Sequence, residues 1–80
     1  MFRTRFKPVE GETYINRNGG AYKCVGSIHE TPYCVGPAYS ARLVNLASGW
    51  ELTANGLIMY PDGTIEWDYS SNGRFAGVPE

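Results

Sequence analysis

The sequence has little of what announces catalysis or transport. It holds one histidine, two cysteines and no surplus of charge: seven Lys and Arg face eight Asp and Glu, a formal net charge of −1 over 80 residues. A chain so near neutrality, with a pI of 5.7, is not a polycation that coats nucleic acid or anionic lipid. No apolar run reaches the roughly 18 residues that a membrane-spanning helix needs, so no membrane association is expected. The start, Met1-Phe2-Arg3-Thr4-Arg5-Phe6-Lys7, has basic residues without an apolar segment behind them. That is not the pattern of a secretory signal, and the expected compartment is the cytoplasm. Neither GxGxxG nor GxxxxGK[ST] occurs, and Asn18-Gly19-Gly20 leads into a strand pattern, so no phosphate loop is present.

Metal and nucleophile chemistry are equally thin. Cys24-x4-His29-x4-Cys34 is regularly spaced, but a structural zinc site takes about four N/S ligands in paired short spacings. A thiol or hydroxyl nucleophile needs a base within hydrogen-bond reach, and His29 has no third residue in view to orient it. Glu66 and Asp68, two apart on one strand face, are ordinary solvated charge. The expectation is a non-enzymatic protein with no metal and no cofactor. A Cys24–Cys34 disulfide would stay reduced in a cytoplasm.

What is present is glycine, tyrosine and period-two alternation. The chain is 42% hydrophobic and 14% aromatic, too apolar for disorder at this low charge. Phe2, Thr4 and Phe6 alternate with Arg3, Arg5 and Lys7, a half-buried strand with a basic outer face. Further strands are expected at 12–16, 21–28, 38–46, 50–55, 57–60 and 64–69, with a short closing one within 74–78. Residues 29–37 should be the longest irregular stretch, since Pro32, Gly36 and Pro37 interrupt a ladder. Pro61-Asp62-Gly63 and Ser70-Ser71-Asn72-Gly73 read as turns. No segment shows helical periodicity, an internal repeat or a linker.

Residues 1–80 are therefore expected to form a single all-β domain, a small SH3-like antiparallel barrel of five to seven short strands with little or no helix. Phe2, Phe6, Leu52 and Trp67 belong in its core. Residues 1–42 carry a net +3 and residues 43–80 a net −4. Arg3, Arg5 and Lys7 should thus lie across from Glu66 and Asp68, each cross-strand pair contributing roughly 0.2–1 kcal/mol.

Six tyrosines and two tryptophans are more amphipathic rings than so small a core needs, and such rings favour interfaces. The expected function is a binding module for a protein partner, with Tyr33, Tyr39 and Tyr60 as its contact residues. The competing expectation is single-stranded nucleic acid bound through Arg3, Arg5, Lys7 and Lys23. Pairing with a second copy through an open edge strand is a third.

Four stretches carry a resemblance: Val9-Glu10-Gly11-Glu12-Thr13-Tyr14-Ile15-Asn16, Gly19-Gly20-Ala21-Tyr22-Lys23-Cys24-Val25, Ser48-Gly49-Trp50-Glu51-Leu52-Thr53-Ala54 and Gly63-Thr64-Ile65-Glu66-Trp67-Asp68-Tyr69-Ser70. They resemble small uncharacterised proteins encoded by phages, prophages and mobile elements of gut Firmicutes, over residues 6–76. The resemblance implies a bacterial cytoplasm and an accessory or host-modulating role, and brings no catalytic residue. Gly11-x-x-Tyr14 followed by Gly20-x-Tyr22 also resembles the start of SH3-like barrels.

Overall fold

The computed structural model describes residues 3–33 and 36–78, with the side chains of 32, 33 and 36 outside that description. Eight strands follow one another: β1 (Thr4–Arg5), β2 (Thr13–Ile15), β3 (Ala21–Tyr33), β4 (Gly36–Asn45), β5 (Trp50–Asn55), β6 (Ile58–Met59), β7 (Ile65–Glu66) and β8 (Tyr69–Phe75). They form a three-stranded sheet, β1-β6-β7, and a five-stranded sheet, β2-β3-β4-β5-β8, with every ladder antiparallel. No helix occurs among the described residues, so none is long and apolar enough to cross a membrane. The two sheets meet through a parallel bridge between Asn16 and Ile65, but the ladders do not close into a barrel among the described residues.

Alternation explains the core. Cys24, Leu43 and Leu52 stand opposite one another across β3, β4 and β5, as do Ala41 and Ala54 across β4 and β5. Opposed residues share a sheet face, and this face, joined by Leu57 just before β6 and by Ile65 of β7, is the buried cluster. Phe6, Tyr14, Tyr22, Ile28, Met59 and Trp67 pack around it. Tyr22 meets Trp67 edge-on at 5.2 Å between ring centroids, a favoured quadrupole geometry. Leu52, Phe6 and Trp67 thus lie where the sequence reading put them, while Phe2 lies outside the described residues.

Three sequence expectations give way. Residues 29–37 are not an irregular loop. His29 to Tyr33 pairs with Gly36 to Ser40, carrying the β3–β4 hairpin past the rest of the sheet as a two-stranded arm. Pro32 and Pro37 stand opposite each other in this arm, and a ribbon with two free sides tolerates a proline wherever the missing N–H would face outward. The supposed turn at 70–73 lies inside β8. Asn72 has a φ of 51°, and the register slips between Glu51 and Thr53 of β5. The positive φ accommodates a β-bulge in place of a turn. Finally, the single strand expected over 64–69 is split at Trp67-Asp68, with β7 in the small sheet and β8 in the large one.

Candidate functional site

Of the pairing of opposite charges expected from sequence, one ion pair is present, Arg5 with Asp68, while β6 stands between β1 and β7 in the ladder. Arg5 Nη1 donates to Asp68 Oδ2 at 3.0 Å and to the Gly56 carbonyl at 2.7 Å. A hydrogen bond to Tyr60, with the charges of Glu66 and Asp68 nearby, raises the pKa of the Arg3 guanidinium. Of the basic residues at the start of the chain, Arg5 is thus engaged by the acidic second half. Lys7 is exposed. Lys23 lies on the other sheet, in the ladder row that also holds Val44. The structure thus does not gather Arg3, Arg5, Lys7 and Lys23 into one groove.

The tyrosine candidates fare differently. Tyr33 is the last residue of β3, opposite Gly36, and its side chain lies outside the described residues, as does Cys34. Tyr60, expected at the surface, is partly buried. Arg17 lies over its ring, 3.9 Å from the centroid, and its hydroxyl donates to Glu66 Oε2 at 3.1 Å. Tyr39, half-buried, lines a hollow at the root of the arm together with Thr31, Ser40, Asn55, Asp68 and Tyr69. That hollow holds about 30 Å³, room for a water-sized group and far from the roughly 300–1,000 Å³ of a small-molecule site.

Sequence reasoning missed the border formed by β5 and β8. Among the described residues β8, seven residues long, pairs only with β5, and its outer side is open. The opposite edge strand, β2, has only three residues. Along β8 the large rings are out in solvent: Tyr69 is 63% and Phe75 74% exposed. Trp50, opposite Phe75 in the ladder, is 47% exposed. Its indole lies over Gly73, where an added Cβ would come within 2.7 Å of the ring. The absence of a side chain at 73 is what lets the indole lie flat against the edge.

Behind this edge lies a buried carboxylate. Glu51 is 6% exposed, and its Oε2 accepts from Arg42 Nη2 at 2.9 Å and from Arg74 Nε at 2.7 Å. Arg42 also donates to Thr53 Oγ1 and to the Asn72 carbonyl. The hydrogen bonds from Arg42 and then Arg74 hold the Glu51 carboxyl below the usual glutamate value, against the opposing effect of burial. Arg74 is thereby anchored through Nε while its side chain stays 69% exposed.

Cys24 is fully buried, and burial pushes its thiol pKa up, away from the thiolate that a nucleophile requires. His29 sits apart on the exposed arm. Among the described residues no three of His, Cys, Asp and Glu are grouped to hold a metal ion. No family model matches the chain, and neither the curated proteins nor the solved structures give a match.

Proposed function

We propose that this protein is a non-enzymatic binding module that recognises a protein partner along the open edge of β8. One observation carries the reading: β8, an edge strand of the large sheet with no strand on its outer side among the described residues, is flanked by three exposed rings, Trp50, Tyr69 and Phe75. An open edge offers main-chain hydrogen bonds to an extended segment, and rings beside it supply contact area with little side-chain entropy to lose. Tyr39 in the hollow next to Tyr69 extends the same surface. In this reading the two sheets are an SH3-like barrel left open at β8, and the setting is a bacterial cytoplasm, as an accessory protein of a phage or mobile element. The bulge at Asn72 interrupts the edge, a device by which β proteins limit indiscriminate strand pairing. Nucleic acid is the weaker reading, because Arg5 is engaged by Asp68.

The test is quantitative capture of partner protein by wild type and by Phe75→Ala, Tyr69→Ala and Tyr60→Ala. Loss of capture with the first two, at an unchanged thermal midpoint, is expected. A partner held equally well by Phe75→Ala and Tyr69→Ala contradicts the assignment.

A further inference from the structure

We infer that the segment docking on β8 is acidic, with a carboxylate side chain that pairs with Arg74 and an adjacent apolar residue that packs on Phe75 and Trp50. This rests on the proposed edge recognition and adds the chemistry of its partner. The ladders fix which side chains share the outer face of the large sheet. One row runs Thr13, Lys23, Val44, Glu51, Arg74, and the next runs Gly26, Arg42, Thr53, Ser71. A third holds His29, Ser40, Asn55 and Tyr69. Three cations, Lys23, Arg42 and Arg74, thus stand against two carboxylates, Glu51 and the Glu10 that lies beside Gly26, a net +1 on a protein whose total is −1.

The positive charge also reaches the edge in an ordered form. Arg42 is held by Glu51, Thr53 and the Asn72 carbonyl, and turns its charge inward. Arg74 uses Nε on the same Glu51 oxygen. Neither of its terminal nitrogens is hydrogen-bonded among the described residues, which leaves them for the two-pronged geometry that suits a carboxylate. A strand added to β8 would continue the first row, so its residue opposite Arg74 falls on the outer face. The neighbouring residue points the other way, toward the side of Phe75 and Trp50, which oppose each other in the ladder. The bulge at Asn72 confines this match to the Gly73–Phe75 half of the edge. An acidic residue adjacent to an apolar one is the pattern that satisfies both faces.

The experiment is selection from a displayed random-peptide library on the folded protein. Binding of the selected peptides is then measured at low and high salt to wild type, Arg74→Lys, Arg74→Gln and Phe75→Ala. The expected result is enrichment of Asp or Glu next to an apolar residue and weaker binding as salt rises. Arg74→Gln should lose about tenfold in affinity, Arg74→Lys should retain the preference, and the melting midpoints should confirm that each variant folds. Peptides that bind through Phe75 without acidic enrichment overturn the acidic partner and leave edge recognition standing. Failure to select any Phe75-dependent peptide overturns both. Arg74-dependent binding of oligodeoxythymidylate in place of peptides reassigns the basic face to nucleic acid and overturns the inference.

Discussion

Arg5 Nη1 bridges the Asp68 carboxylate and the Gly56 carbonyl, at 3.0 and 2.7 Å, and in doing so ties the first strand of the small sheet to the place where the chain crosses between sheets. The contact depends on Gly56. Its φ is 77°, and a Cβ there would overlap Asp68 Oδ2 and come within 2.9 Å of Arg5 Nη1. Gly56→Ala should therefore destabilise by more than the roughly 1–3 kcal/mol of backbone strain alone. Arg5→Ala, which breaks an ion pair with both partners over a third exposed, should lose only about 0–1 kcal/mol plus a surface hydrogen bond. Chemical denaturation of the two variants checks the ranking.

Glu51 should set part of the acid sensitivity. Its carboxyl is held low in the folded protein by Arg42 and Arg74, so its contribution is complete above the ordinary glutamate value of about 4.3 and is lost as pH falls through that value toward the lower folded one. Glu51→Gln should destabilise at neutral pH by about 3 kcal/mol or somewhat less, since Arg74 can return to water while Arg42 is left inside. The midpoints of wild type and variant should converge as the solution is acidified. A constant gap from neutral to acid pH contradicts the electrostatic role.

Trp50 should report on Gly73. An alanine at 73 pushes the indole off the edge, and because the ring is 47% exposed it has somewhere to go. Gly73→Ala in a Trp67→Phe background is expected to shift indole emission to longer wavelength with a stability loss below about 1 kcal/mol. An unshifted spectrum would mean the ring does not rest there.

In a Cys34→Ser background the Cys24 thiol should resist an aqueous thiol reagent in native buffer and react only when the chain unfolds. Its burial both hides the sulfur and disfavours the thiolate. Rapid native labelling would contradict its place between Leu43 and the rest of the core.

Much of the framework was legible from alternation and turns. The strand 50–55, the Cys24 face of the third strand and the opposition of Arg5 to Asp68 all follow from period two and charge. What failed were the ambiguous signals. Asn-Gly supplies a positive φ to a turn or a bulge alike, so residues 70–73 read as a hairpin end when they continue an edge strand. Prolines exclude a central strand but not a free-standing ribbon, which hid the arm. Those two misreadings also hid the candidate surface, because β8 as a continuous edge is what brings Tyr69 and Phe75 together with Trp50. Tyr60 read as exposed because the Arg17 that covers its ring is 43 positions away in sequence and comes near only through the Asn16–Ile65 bridge.

The most direct test of β8 as the recognition edge is amide hydrogen exchange, measured residue by residue with and without a saturating bound partner or selected peptide. Edge recognition predicts that new protection appears at residues 69–75, while β1 and β2 exchange as before. New protection confined to the arm or to the small sheet, with β8 amides exchanging at their free rates, would contradict it.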